Sequence, residues 1–143
     1  MTQTFDPRMP YYKMLVLSSD PKNIARIQPF LEGVRKDCDV CEEVFGNILV
    51  SITEAVTNAI LHGNNGDETK TVEIRMERQG NNRLGFFIKD QGCGFNYKKI
   101  PDPTRPENLL KIGGRGVFLM RELSDELVFH DNGRTVEIDF NLK

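Results

Sequence analysis

The sequence predicts a two-layer α/β sandwich, in which helices cover one face of a mixed, mostly antiparallel sheet. Short segments that alternate apolar and polar residues indicate strands, and two longer segments repeat apolar residues with the period of a helix. The 143 residues, 38% apolar and 28% charged, suffice for a hydrophobic core without a disulfide or metal staple. We therefore expect a single domain over residues 1–143, with residues 1–10 as a loose N-terminal arm.

Charge and composition argue against several classes of partner. A net charge of −2 gives no general attraction for nucleic acid or for an anionic membrane. Because the N-terminus lacks the apolar core of a signal peptide and no apolar run approaches membrane-spanning length, we expect a cytoplasmic protein with reduced thiols. Cys38 and Cys41 have CxxC spacing but no second pair, so we interpret them as a loop and a helix start.

The N-terminal half is expected to form one strand and two helices. Residues 11–18 are apolar and bounded by turn residues, which predicts a strand. The first helix is capped by Ser19 or Asp20 and runs to Lys36, and Pro29 is expected to kink it. Asp39 is expected to open a second, largely buried helix from residue 40 to about residue 61, which Gly63 ends.

The second helix carries polar residues on the flank of its apolar face. Glu54 and Asn58 lie one turn apart, and polar groups on a buried helix are costly unless they have partners. One interpretation is that both reach solvent or cap neighbouring backbone. The other is that Asn58 offers a neutral oxygen to a hard cation such as magnesium while Glu54 handles a proton or a water. The spacing alone leaves both interpretations open.

Four further strands follow in the C-terminal half, as two hairpins. Residues 71–78 and 84–90 flank a turn at residues 79–82, and residues 126–130 and 135–142 flank a turn at residues 131–133.

The second of these strands ends in the sequence Asp90-Gln-Gly92-Cys-Gly94. Such a stretch is typical of a simple turn. It also places a carboxylate beside a backbone with little steric bulk, which suits a flat ring that bears an amine.

A polar segment with three prolines, residues 96–112, precedes a glycine-rich turn. Its length favours a mobile cover over a plain connection. Residues 113–116, Gly-Gly-Arg-Gly, then open a short apolar helix, and a helix N-terminus of this kind suits a phosphate group. Neither the Walker pattern nor the full Rossmann fingerprint fits these residues.

These motifs together resemble the nucleotide-binding boxes of the gyrase, Hsp90, histidine kinase and MutL ATPase superfamily. The three boxes are residues 54–59 (EAVTNA) with His62-Gly63, residues 90–95 (DQGCGF) and residues 114–116 (GRG). Within the superfamily, the chain most resembles the small bacterial anti-sigma factors that are also serine kinases, from Ser18 to Leu142. The resemblance implies a histidine-kinase-like ATPase fold.

The resemblance also implies a role for each box residue. Glu54 would be the general base and Asn58 would hold magnesium on the phosphates of ATP. The residues implied in nucleotide binding are Asp90 for the adenine amine, Thr135 through an ordered water, Gly92 and Gly94 for the ring and ribose, and Gly114 and Gly116 for the phosphates. Arg115 departs from a plain glycine box, and we weigh a phosphate contact equally with a partner contact.

By the same resemblance, the protein would phosphorylate a serine of an anti-anti-sigma antagonist and would otherwise sequester a sigma factor. A dimer through the sheet is suggested as well. The alternative is a nucleotide-gated protein-binding module without significant phosphotransfer; retention of Glu54 favours the kinase. We do not expect a complete histidine kinase, because no second domain with a phosphorylatable histidine is apparent in 143 residues.

Overall fold

A computed structural model describes residues 11–80, 82–93 and 114–142, with side chains in the last range described from residue 116 onward. The expected N-terminal arm and the covering segment lie outside these residues. The described strands are β1 (Tyr12–Ser18), β2 (Thr71–Gln79), β3 (Arg83–Lys89), β4 (Glu126–His130) and β5 (Thr135–Asn141). The described helices are α1 (Ile27–Cys38), α2 (Glu42–Asn58) and α3 (Gly114–Leu123), with short helical turns at Pro21–Arg26, Ala59–Gly63 and Asp131–Gly133.

The five described strands form one sheet in the order β1-β2-β3-β5-β4, and all four pairings are antiparallel. The central helix α2 packs on β3 and β5 and lies between α1 and α3. The expected two-layer α/β fold is confirmed, and the part of the chain described here contains no parallel strand pair.

Strand alternation builds the core on the face of the sheet that carries the helices. Alternate apolar residues of β2, β3 and β5 are buried there, while the apolar face of α2 packs against them. Phe86 and Phe140 meet edge-to-face, with ring centroids 5.9 Å apart. The fully buried members of this core include Ile48, Ile52, Val56, Ile74, Met76, Leu84, Phe86, Ile138 and Phe140.

The first helical segment is broken at a different place from the one expected. Asp20 caps a 3₁₀ turn, Pro21–Arg26, by accepting from the Lys22 N–H, and α1 begins at Ile27. Pro29 is the third residue of α1, where a missing N–H breaks no hydrogen bond within the helix. The segment is therefore not one continuous α-helix, and the change from a 3₁₀ turn to α1 lies just before Pro29.

The start of α2 also differs from the prediction. Asp39 adopts a left-handed conformation (φ 53°) at the C-terminal end of α1, and Cys41 is the N-cap of α2. Asp39 therefore ends one helix instead of opening the next, since a short polar residue tolerates this conformation. Cys38 and Cys41 flank this junction as free cysteines.

The expectation that no segment reaches membrane-spanning length was wrong as well. The continuous helical stretch Glu42–Gly63 has 22 residues and is long and apolar enough by composition to cross a membrane. Its apolar face is buried against β3 and β5, as the core helix of this fold requires.

A carboxylate cluster occupies the opposite face of the sheet. Asp139 is 1% exposed, and its Oδ2 accepts a hydrogen bond of 3.0 Å from Arg83, which also pairs with Glu126. No described residue donates to its buried Oδ1. Burial, together with a hydrogen bond to Glu137, raises the pKa of Asp139 to about 6, although Arg83 acts in the opposite direction. A protonated Asp139 can donate a hydrogen bond to Glu137.

This cluster predicts a pH-dependent stability. A carboxyl with a raised pKa in the folded state stabilises the fold below its ordinary pKa, and that contribution is lost as the pH rises through the folded value. Asp139→Asn cannot ionise but keeps a donor for Glu137. Between about pH 4 and 7, the free energy of unfolding of the wild type should fall by about 1–3 kcal/mol relative to this variant in urea denaturation. The control is Glu126→Gln, which changes the exposed partner of Arg83; a wild-type curve parallel to that of Asp139→Asn would refute the assignment.

Candidate functional site

Helix α3 approaches the polar flank of α2 at a glycine. Glu54 and Asn58 are half-buried, one turn apart, and face the first turn of α3. A Cβ built on Gly116 would lie 2.9 Å from Asn58 Nδ2 and 3.1 Å from Glu54 Oε2. The structure therefore brings together Glu54, Asn58 and Gly116, residues from two of the three sequence boxes.

The Asp90 turn lies against the end of the same helical stretch. Asp90 is 9% exposed, and its Oδ1 accepts a hydrogen bond of 2.8 Å from the Gly92 N–H. A Cβ on Gly63 would fall 2.4 Å from Asp90 Oδ2, and one on Gly92 would fall 2.0 Å from the Gly63 carbonyl oxygen. Only residues without a side chain allow this contact, so Gly63 belongs to the site together with Asp90 and Gly92.

The wider helical turn after α2 delivers Gly63 to this position. Residues Ala59–Gly63 form a π-helical turn, which the Asn64 N–H closes by donating to the Ala59 carbonyl at 2.8 Å. Such turns are rare and occur frequently at functional sites. His62, in the same turn, is exposed, as expected for a histidine at a helix end.

The electrostatics of Asp90 suit an amine donor. Burial raises the pKa of its carboxyl, while the Gly92 N–H and the charges of Arg134 and Lys70 oppose that rise. The Gly92 N–H occupies Oδ1, and among the described residues none donates to Oδ2, an oxygen of the type that accepts from an amine.

Two residues that the sequence did not single out hold the Asp90 turn. The buried Asn64 side chain accepts from the Gln91 N–H at 2.8 Å. Arg134 Nε donates to the Gly92 carbonyl at 2.8 Å, and the Arg134 carbonyl accepts from the Asp90 N–H at 2.9 Å. Asn64 follows Gly63 in a polar loop, and nothing in the pattern distinguishes it from the adjacent Asn65.

The register of the sheet separates Thr135 from the carboxylate of Asp90. Thr135 pairs with Lys89 on the face of the sheet away from the helices, whereas the Asp90 side chain contacts Gly63 on the helix side. The residue that this part of the chain places against the turn is Arg134.

Several predicted positions lie at the border of the described structure. Gly94 and the covering segment fall outside the described residues. The backbone of Gly114 and Arg115 forms the start of α3, while the Arg115 side chain lies outside the described part.

The side-chain oxygens of Asn58 and Glu54 suit a magnesium ion that is held mainly by the phosphates of a bound ligand. In the described parts of the chain no group of three or more His, Cys, Asp or Glu side chains could hold a metal ion by itself. Magnesium usually keeps several waters and takes only one or two protein oxygens together with substrate phosphates. One amide oxygen beside one carboxylate is compatible with that mode of binding.

Comparison with known proteins assigns the family. The family model of the histidine kinase-like ATPase domain matches residues 17–140. The chain belongs to this family. The fold described above is therefore that of a histidine kinase-like ATPase domain.

Relatives of this ATPase domain include serine-protein kinases. The serine-protein kinase RsbW of Bacillus licheniformis is 30% identical, over 82% of this chain and 78% of that protein. The RsbW protein of Bacillus subtilis (strain 168) is 28% identical, over 87% of this chain and 82% of that protein. These relatives confirm the resemblance to the serine kinases of the superfamily.

A solved structure supports the fold. The RsbU and RsbW domains of Rv1364c from Mycobacterium tuberculosis match with a TM-score of 0.64 at 13% identity. The match covers 93% of this chain and 32% of that longer chain. At this identity the likeness concerns the fold alone.

The contact around Asp90 predicts opposite effects for two glycine substitutions in one helical stretch. Gly63→Ala places a methyl group on the Asp90 carboxylate and should lower the free energy of unfolding by about 1–3 kcal/mol. Gly46→Ala, in α2, meets nothing within 4 Å and should raise it by about 0.5–1 kcal/mol. Urea denaturation of both variants measures the difference; equal effects would show that the Gly63 contact is absent in solution.

Proposed function

We propose that this protein is an ATP-dependent serine-protein kinase and anti-sigma factor. The observation that carries the proposal is the contact of Gly116 in α3 with Glu54 and Asn58 of α2, together with the Asp90 turn at the end of the α2 helical stretch. Glu54, which would be the base, and Asn58, which would bind the metal, thus lie on one helical stretch, and a carboxylate suited to adenine lies against the end of that stretch. The serine-protein kinase relatives, which match most of the chain, support this activity.

The adenine would bind at the Asp90 turn. Asp90 Oδ2 would accept from the exocyclic amine, and the backbone of Gly92 would let the ring approach. Gly94, by the family resemblance, would line the ring and ribose. Arg134, which precedes β5, would support this end of the site through its hydrogen bond to Gly92. Thr135, the first residue of β5, pairs with Lys89 and would act through an ordered water.

The phosphates would lie at the start of α3, where helix N–H groups and the positive end of the dipole attract anions. Gly114 and Gly116 would allow the close approach, and Gly116 would keep the phosphates near Asn58. When bound, magnesium would neutralise phosphate charge, and Asn58 would hold it through its amide oxygen. Arg115 would add a cation to this end of the site or meet the protein partner.

Glu54 would be the general base. It lies beside Asn58 and Gly116, where the terminal phosphate would sit, and would take the proton from an incoming serine hydroxyl. Phosphoryl transfer needs chiefly positioning and charge neutralisation from the protein, so this small set of groups is sufficient.

The partners follow from the proposed activity. The phosphorylated substrate would be an anti-anti-sigma antagonist, and a sigma factor would be held when that antagonist is absent. The protein would act in the cytoplasm without direct contact to nucleic acid. A homodimer through the sheet is supported by the exposed apolar row Tyr12, Met14 and Val16 on β1.

The base assignment predicts a separation of binding from chemistry. Glu54→Gln should lower the rate of phosphate transfer to the antagonist by about 100-fold or more and leave the affinity for ATP within about threefold. The measurements are transfer of labelled phosphate and calorimetric titration with ATP. Glu43→Gln, the same change at an exposed position of α2, is the control. Unimpaired phosphate transfer by Glu54→Gln would contradict the assignment of Glu54 as the base. A wild type that binds ATP but transfers no phosphate would indicate a nucleotide-gated binding module.

The metal assignment predicts a magnesium-specific loss. Asn58→Ala should weaken ATP binding by about 10- to 100-fold in the presence of magnesium and change it little in the presence of chelator. Asn47→Ala, on the same helix away from the site, should leave both affinities unchanged. Equal losses with and without magnesium would instead assign Asn58 a role in packing.

A further inference from the structure

We propose that Asn64 is a positioning residue that sets the preference of the site for adenine over guanine. It would do so by fixing the Asp90 turn against the end of the α2 helical stretch. This inference rests on the nucleotide site proposed above and adds a specificity-determining residue that no sequence box contains.

The side chain of Asn64 joins three separate parts of the chain. Its Oδ1 accepts from the Gln91 N–H at 2.8 Å, and its Nδ2 donates to Ser19 Oγ at 2.8 Å and to the Thr71 carbonyl at 3.0 Å. The residue is 0% exposed, so water cannot reach its side chain, and these three hydrogen bonds satisfy its polar atoms instead. Asn64 therefore links the end of β1, the start of β2 and the turn after β3.

The backbone of Asn64 is fixed as well. Its N–H closes the π-helical turn on the Ala59 carbonyl at 2.8 Å, and the preceding residue, Gly63, lies against Asp90 and Gly92. One residue thus anchors the end of the helix through its main chain and the Asp90 turn through its side chain. The relative position of these two parts defines the space around Asp90 Oδ2.

The hydrogen bonds of Ser19 and of the Gln91 side chain hold a different part of the chain from that of Asn64. Ser19 Oγ donates to the Lys70 carbonyl at 2.9 Å, and Gln91 Oε1 accepts from the Thr71 N–H at 2.7 Å. Both of these side chains stabilise the loop before β2. By contrast, the Asn64 side chain bonds directly to the main chain of the turn, one residue after Asp90. Loss of Asn64 therefore loosens the turn itself, whereas loss of Ser19 loosens only the support behind Asn64.

The position of the turn decides which base is accepted. Adenine presents an amine donor at the position where guanine presents a carbonyl acceptor. A carboxylate oxygen held in place attracts the first and repels the second, and a site built for one hydrogen-bonding pattern rejects a base that lacks it. If the turn can shift, the hydrogen bond to adenine weakens and the repulsion of guanine is relieved.

The test is the ratio of the dissociation constants for GTP and ATP, measured by calorimetry with magnesium on the full chain. The wild type should prefer ATP by about 100-fold or more. Asn64→Ala should bind ATP about 10- to 100-fold more weakly, lose at least about tenfold of the preference, and raise the KM for ATP more than it lowers kcat. Asn64→Asp, which keeps the acceptor for the Gln91 N–H, should retain more of the preference than Asn64→Ala.

Ser19→Ala is the matched control, because it removes one hydrogen bond of Asn64 but leaves the bond to Gln91 in place. It should lower stability without changing the ratio. A folded Asn64→Ala with the wild-type ratio, or an equal loss of the ratio in Ser19→Ala, would reduce Asn64 to a structural residue and overturn the inference. A wild type that binds neither nucleotide would overturn the proposed function, and this inference would fall with it.

Hydrogen exchange of the wild type tests the inference if the variants do not fold. The Gln91 amide should be protected in the absence of nucleotide, because Asn64 Oδ1 accepts its proton. Exchange of this amide at the rate of an unprotected one would overturn the inference.

Discussion

The close contact of Gly63 with Asp90 and Gly92 is the constraint on which the site depends. A Cβ at either glycine would fall within 2.4 Å of an atom across the contact. The end of the α2 helical stretch and the turn after β3 therefore meet backbone to backbone, and the Asp90 carboxylate fills the space between them. Gly116 makes a similar close contact: because it has no side chain, α3 can approach Asn58 and Glu54 of α2.

One helical stretch serves both the core and the site. The apolar face of α2 is buried on the sheet, which fixes the helix rigidly, and its half-buried flank presents Glu54 and Asn58. The π-helical turn that follows ends at Gly63, which lies against Asp90. Polar side chains on a rigid core helix are held more accurately than on a loop, which suits a reaction that depends on positioning.

Local patterns predicted most of the fold, and the errors have local causes. Strand alternation and helical period located the five described strands and the second helical stretch to within about two residues, whereas α1 begins at Ile27, about six residues after the predicted start. Asp39 was misjudged because a short polar residue can either open a helix or end one. The water-mediated role of Thr135, which followed from the family resemblance, stays a prediction, while the structure brings Arg134 to the turn.

The sequence by itself determined the element types, the polar flank of α2, the Asp90 turn and the family, because each is encoded in short-range spacing. Only the tertiary structure decided that Asn64 and Arg134 hold that turn and that Gly63 lies against its carboxylate. These contacts join residues 27 and 42 positions apart, as in Asn64 with Gln91 and Arg134 with Gly92. A hydrogen bond between distant residues leaves no periodic signal, since an asparagine in a polar loop looks the same whether it is buried or solvated.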